Sequence, residues 1–347
     1  MQTPDSPPFP DPDPAIWLEK VRTELKSRTP ESCDYTWDDI RISPFEFLPE
    51  GGRRVLERKN NQWKTGSYID PGIENNADLL KALNEGASAL HIEFHKEENW
   101  KNWFKKVRLD WISLHLTFEN TGMLDSFLKF PDSATRSKIN GSVRVKNTDP
   151  VKLYNTYAER LPAMRFLCFE LKELKTAQSL ATIFARMAEM MEMLSPEVES
   201  NRLAGQVALH VYGQNDMLLN ISILRALRLL WRQLFLSAGL ENKTELFLTG
   251  HIKNDKISTY DHRIRSSVIA TSMILGGIDE LFIEGTDAAL SRYGRMVQHI
   301  FREEALLGVP PDPLSGARVV ERLTGTIAEK VWKVYSGLRI KIRPAAV

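Results

Sequence analysis

Polar and apolar positions divide the chain into stretches with different rhythms. Residues 1–13 hold five prolines and no periodic apolar signal, which predicts an extended arm. Asp13-Pro14 has the form of an N-cap followed by proline at the first helical position. Behind it, Ile16, Trp17, Val21 and Leu25 share one helical face, and the helix should stop before Pro30. So short a helix does not stabilise itself, so Trp17 must rest on the body of the chain or on a partner subunit. Residues 40–48 alternate like a strand, but Pro44 restricts them to an edge or an irregular strand. Residues 49–78 are rich in Gly, Asn and charge and read as loop.

From residue 79 the pattern becomes regular. Strand candidates are Ala89–Phe94, Trp111–Phe118, Gly141–Lys146, Arg165–Leu171, Val207–Tyr212, Thr244–Gly250 and Glu280–Glu284. Amphipathic helical stretches are Leu174–Leu194, Met217–Ala238, Asp261–Leu275 and Ala288–Leu307. The methionines of the first of these are predicted core packing. Ala317–Val320 followed by Thr324–Tyr335 supplies a weaker eighth unit. About eight strand–helix units over about 260 residues predict an α/β fold, a closed (β/α)8 TIM barrel with an N-terminal arm and helix. An open doubly wound sheet is the weaker alternative, because no Gly-x-Gly-x-x-Gly or Walker lysine motif follows any strand.

Alternation then sorts each strand into two faces. Leu90, Ile92 and Phe94 oppose His91, Glu93 and His95; Leu114 and Leu116 oppose His115 and Thr117. Leu209 and Val211 oppose His210 and Tyr212; Leu246 and Leu248 oppose Phe247, Thr249 and His251. The aliphatic faces belong under the helices. The barrel interior would therefore carry His91, His115, His210, His251 and Glu93, where most such barrels carry Val, Ile and Leu. A polar interior is either a hydrogen-bonded core or a lined channel. Trp111, Phe247 and Tyr212 have the bulk to close it, which predicts at least partial closure of the axis. A metal site needs three or four of the histidines at one height, which alternation does not supply.

Composition removes several classes of function. Lys+Arg total 46 and Asp+Glu 45, a net charge of +1, spread evenly along the chain. That balance lacks the basic surplus of an electrostatic nucleic-acid binder or a polybasic membrane-surface protein. No apolar run approaches the roughly 20 residues of a membrane span, and the N-terminus lacks the basic-then-apolar form of a secretory signal. Two cysteines, Cys33 and Cys168, make neither a disulfide framework nor a zinc spacing, and the expected compartment is the reducing cytoplasm. Gly-x-Ser-x-Gly is absent, and Glu93, Glu170 and Asp279 have no pairing that spacing alone establishes.

The C-terminal third carries the most specific motifs. They are Leu275-Gly276-Gly277, the strand Glu280–Glu284, the helix Arg292–Glu304 and the Asp312-Pro313-x-x-Gly316 turn. Val320-Glu321-x-Leu323-Thr324 and Ala328-Glu329-Lys330-x-Trp332 follow. Upstream lie Ile223–Trp231, an Arg-bearing helix ending in Trp, and Ile40-Arg41-Ile42-Ser43-Pro44. Together they resemble the substrate-binding barrel of the methylmalonyl-CoA mutase family, over residues from about 14 to 335 and most clearly after 220. Catalytic chains of that family carry a Tyr-His pair at a strand end, where this chain reads Phe169-Glu170-Leu171-Lys172. Their His-x-Gln-Thr-Ser-Gly loop becomes His251-Ile252-Lys253-Asn254-Asp255, and their arginine-bearing motif for the CoA tail is not recognisable. Their cobalt-ligating Asp-x-His-x-x-Gly motif has no counterpart.

With these departures the resemblance narrows to the small, non-catalytic subunit of heterodimeric mutases. It implies an arm at residues 1–48 that contacts another subunit, a barrel over 49–340, and no cobalamin-binding domain. It implies no catalytic residue, no metal and no bound cofactor in this chain, with adenosylcobalamin in the partner. That partner is a catalytic large subunit in propionate metabolism, with a homodimer as the alternative. A vestigial substrate site, with acyl-CoA as the ligand to be tested, would use His251, Lys253, His210, His115 and His91. The alternatives are the substrate-binding half of a split mutase and a barrel for an unrelated small ligand.

Overall fold

Asp13 accepts the Ala15 amide at 2.8 Å and Pro14 occupies the first turn, so the first helix, Pro14–Leu25, begins where its cap predicts. It buries none of its residues, and Trp17 stays 40% exposed. The computed structural model describes residues 13–43, 56, 58–196, 198–240, 244–254 and 258–342. Two short antiparallel strands follow, β1 (Tyr35–Trp37) and β2 (Ile40–Ile42), joined by Asp38-Asp39. Both aspartates have positive φ, 46° and 68°, as the two-residue turn that matches strand twist requires. Positions 44–48 of the predicted edge strand lie outside the described residues.

The barrel strands are β3 (Lys64–Ile69), β4 (Ala89–Phe94), β5 (Ser113–Phe118), β6 (Asn140–Val145), β7 (Met164–Arg165), β8 (Leu167–Leu171), β9 (Val207–Tyr212), β10 (Phe247–Ile252) and β11 (Glu280–Ile283). Every pairing among them is parallel, in the order β7-β6-β5-β4-β3-β11-β10-β9-β8. β7 and β8 are one chain stretch interrupted at Phe166. Its first half pairs with β6 and its second half with β9, so the sheet closes into an eight-stave barrel. The seam between β6 and β8 is crossed by Cys168, 3.7 Å from the Val143 carbonyl, and, at the mouth, by an Arg144–Glu170 ion pair.

Two expectations fail here. The first barrel strand is β3, inside the segment that composition reads as loop. Its sequence Lys-Thr-Gly-Ser-Tyr-Ile has one large aliphatic residue, so it carries no apolar signal; its ladders to β11 and β4 make it a strand. Ala317–Val320 is not a strand. It leads into a single helix, Arg318–Ile342, which lies across the helices Ala177–Leu194 and Met217–Ser237 as an outer layer. Val320, Leu323, Ile327, Val331 and Tyr335 form its buried face, a helical spacing.

The aliphatic faces do pack outward. Leu90, Ile92 and Phe94 of β4 and Leu114, Leu116 and Phe118 of β5 are buried under the helical layer, with Trp100 and Trp103 edge-on to Phe94, and Trp100 edge-on to both Phe118 and Phe127. The Met217–Ser237 helix is anchored by Arg225, which is fully buried and pairs with Asp312 at 2.6 Å and Glu321 at 2.9 Å. Among the described residues, no helix is long and apolar enough to cross a membrane.

Candidate functional site

The inner face of the barrel is polar and ring-rich, as alternation predicts. Parallel register places Tyr68 beside His91 and His91 beside His115, and on the other side His210 beside Thr249 and His251 beside Phe282. The four histidines converge, with ring centroids 5.2–6.4 Å apart for His91–His251, His91–His210, His91–His115, His115–His210 and His210–His251. Phe282 stacks on His251 at 5.2 Å and Phe247 on His115 at 6.3 Å.

A directional hydrogen-bond chain runs through this core. Burial, with Tyr212, Glu284 and Glu170 nearby, pushes the Tyr68 phenol well above its ordinary range, so its hydroxyl stays protonated. It lies 2.6 Å from His251 Nδ1. With the phenol as donor and Nδ1 as acceptor, the proton of neutral His251 lies on Nε2, which faces Thr249 Oγ1 at 2.9 Å and His210 Nδ1 at 3.1 Å. Thr249 in turn donates to His210 Nδ1 at 2.7 Å. At the end of the chain His210 Nε2 is buried without a hydrogen-bond partner, and so is Nδ1 of His91, which meets the network only through ring contacts. Burial first, then neighbouring imidazoles and Arg144, hold His91, His210 and His251 well below the usual histidine range.

His115 belongs to a second network. It bonds Ser142 Oγ at 2.7 Å and pairs with Glu280, and both of these side chains are fully buried. Burial alone would raise Glu280, but His115, Ser113 and Lys64 outweigh it and the carboxyl lies below its ordinary value. Lys64 bonds Ser113 Oγ at 2.5 Å and closes the lower end of the barrel. Among the described residues, no group of three His, Cys, Asp or Glu side chains is placed to hold a metal ion.

Above this floor the C-terminal mouth opens into two adjoining cavities of about 540 and 620 Å³ that share His91, Glu93 and Lys253. The first is lined by Arg144, Lys172, Lys253 and Arg265 against Glu93 and Glu170, a cationic surplus. The second is lined by Asp70, Glu74, Asp78, Glu93, Glu284 and Asp287 around Lys253. Arg144 and Lys172 both pair with Glu170, Lys172 at 3.0 Å, and they hold its carboxyl down against the effect of burial. Lys253 pairs with Glu284 at 3.1 Å and sits 5.0 Å above the Tyr68 ring.

The five expected site residues thus separate. Lys253 lies at the mouth and His91 at its floor, whereas His115, His210 and His251 are about 99% buried in the core. Phe247 and Tyr212 line the interior as expected, with Tyr212 stacked on His251 at 5.2 Å. Trp111 does not. β5 begins at Ser113, and Trp111 is 72% exposed beneath the Arg108 guanidinium. Sequence reasoning missed Tyr68, hidden in the segment read as loop, and Arg144, Glu280 and Phe282. Their inward alternation on β6 and β11 was a usable signal.

The architecture is that of a parallel (β/α)8 barrel with a charged basin at its C-terminal face, the face on which such barrels carry their sites. The model of the methylmalonyl-CoA mutase family matches residues 174–339 of this chain. The chain is 23% identical to the methylmalonyl-CoA mutase small subunit of Porphyromonas gingivalis, over 94% of this chain and 63% of that one. It is 25% identical to a methylmalonyl-CoA mutase of Rhizobium meliloti, over 68% of this chain and 39% of that one. A mutase of Escherichia coli is 31% identical over 33% of this chain and 18% of its own length. The chain therefore spans less than two thirds of the length of these relatives. Among solved structures it is similar to the dihydropteroate synthase of Yersinia pestis, at 9% identity and a TM-score of 0.41, covering 77% of this chain and 98% of that one.

Proposed function

We propose that this chain is a small-subunit-like component of a methylmalonyl-CoA mutase. It would support a catalytic large subunit that isomerises (R)-methylmalonyl-CoA to succinyl-CoA, with adenosylcobalamin held by that partner. Residues 1–48 would contact the partner and the barrel from 49 to 340 would act as a scaffold, with His251, Lys253, His210, His115 and His91 the remains of a substrate site. The observation that carries this reading is the filled axis. Tyr68, four histidines, Phe247 and Phe282 occupy the barrel centre in mutual contact, which leaves no passage for an acyl chain. The six carboxylates of the second cavity also disfavour a ligand as anionic as CoA.

The histidines do not fit a cobalt ligand. Four are inside the barrel; His262 and His299 bond the carbonyls of Glu284 and Glu85, each at 3.1 Å; and His95 lies among Glu93, Glu119 and Lys146. No step is assigned to cobalamin in this chain.

Co-expression with a catalytic large subunit tests the proposal. The expected outcome is a co-purifying heterodimer whose mutase activity falls when this chain is omitted. A chain that remains alone and leaves activity unchanged refutes it. The cationic surplus of the first cavity favours one rival, the substrate-binding half of a split mutase. Calorimetric titration with methylmalonyl-CoA separates the two: saturable binding lost on Lys253→Ala supports the rival, and no heat supports the scaffold.

A further inference from the structure

Three side chains of the N-terminal hairpin reach the loops that follow β8 and β9. The buried Trp37 indole donates to the Leu174 carbonyl at 2.6 Å, and Asp38 Oδ2 accepts the Ala177 amide at 2.8 Å. The Tyr35 hydroxyl donates to Asp216 Oδ1 at 3.2 Å, the same oxygen that caps the helix Met217–Ser237. These two loops bring Lys172, Gly213, Gln214 and Asn215 to the wall of the cationic cavity. Gln214 Nε2 donates to the Lys172 carbonyl at 3.3 Å, so the loops also hold each other. One hairpin therefore grips both loops, and none of its own residues lines the cavity.

Trp37, Ile40 and Ile42 seat the hairpin in the core, and its turn is gripped by a cation. The turn places two non-glycine residues at positive φ, a conformation L-residues adopt at a cost. Lys330, on the outer helix Arg318–Ile342, contacts the Asp38 carbonyl, the Asp39 carboxylate and, at 3.1 Å, Asp38 Oδ2. The same Asp38 carboxylate thus joins Lys330 to the first turn of the helix Ala177–Leu194.

We propose that the β1–β2 hairpin is a strap, fastened by Lys330, that fixes the Lys172–Gln214 wall of the mouth. Unfastening it loosens that wall and leaves the barrel folded. The physical basis is a difference in local stability. The strands are held by ladders on both sides and by a continuous core, whereas the two loops depend on side-chain hydrogen bonds, three of them from the strap and the others from Gln214 and Asn220. This inference stands independently of the subunit reading, since it concerns only how one wall of the basin is ordered.

Hydrogen exchange on the full chain tests it, read by mass spectrometry on peptides spanning 172–176 and 213–217. Lys330→Met and Trp37→Phe are each expected to raise exchange in both peptides about threefold or more, with the barrel strands unchanged. Arg339→Met, which removes the Arg339–Glu192 pair between the same two helices, serves as the control and should leave both peptides as in the parent. A rise confined to residues 35–42, or an equal rise in Arg339→Met, overturns the proposal. Trp37→Phe alone decides the question if Lys330→Met does not fold.

Discussion

Tyr68 and His251 come from β3 and β10, the strands that flank β11, and meet inside the barrel, the phenol donating to imidazole Nδ1 at 2.6 Å. That one bond sets the tautomer of His251 and, through Thr249, the acceptor role of His210. It also fills the centre of a barrel whose mutase relatives are assigned to acyl-CoA chemistry by name.

Tyr68→Phe keeps the ring and removes the donor. His251 Nδ1 is then a buried acceptor without a partner, a loss of about 1–3 kcal/mol. Urea unfolding should show a lower midpoint with an unchanged slope. An unaltered midpoint would mean that the hydrogen bond is not formed in solution.

The three neutral histidines predict a pH dependence with a definite sign. Burial keeps His91, His210 and His251 from protonating in the folded state, whereas in the unfolded chain they titrate at about 6.5. The unfolded state therefore binds more protons below that pH, and stability falls as the solution is acidified. Thermal midpoints should be level from about pH 8 to 7 and drop progressively below about 6.5. Glu280, held low by its partners, adds its own loss only in the more acidic carboxylate range.

Arg225→Met leaves Asp312 and Glu321 buried without their cation. Breaking such a group from one side costs about 3–5 kcal/mol. Melting should show this as a large fall. Replacing all three residues by apolar ones of similar size should recover much of it, because the desolvation term is then removed as well.

Gly66 tests the β3–β11 seam. A Cβ there would lie 2.5 Å from both the Leu281 carbonyl oxygen and the Phe282 ring, so Gly66→Ala should destabilise by about 2–3 kcal/mol or prevent closure. Gly205→Ala, where nothing lies within 4 Å, should be neutral or raise the midpoint slightly through helix propensity. Equal effects at the two sites would contradict the seam.

Much of the fold is legible from local pattern. Helix Pro14–Leu25 starts at its proline, and β4 and β9 lie where alternation places them. The four interior histidines follow from the same alternation. Tyr68 was not legible, because β3 alternates polar and small residues on both faces and is recognisable only by the ladders that hold it. Trp111 misled for the opposite reason. It continues the alternation of β5 in sequence, but the chain is still turning at Asp110 and the strand starts two residues later.

Sequence alone determined the strand–helix rhythm, the inward and outward faces, the N-terminal cap and the motifs that align residues 174–339 with the mutase family. These are periodic or contiguous signals, carried within a few residues of one another. Tertiary structure decided which stretch closes the barrel, which imidazoles meet, and how the charge is distributed. Charges that are evenly spread along the chain gather at the mouth into a cationic and an anionic cavity, side by side. The physical reason is that side-chain height in a closed barrel depends on the stagger accumulated around all eight staves. Residues such as Tyr68 and His251, 183 positions apart, become neighbours only when that circle is complete.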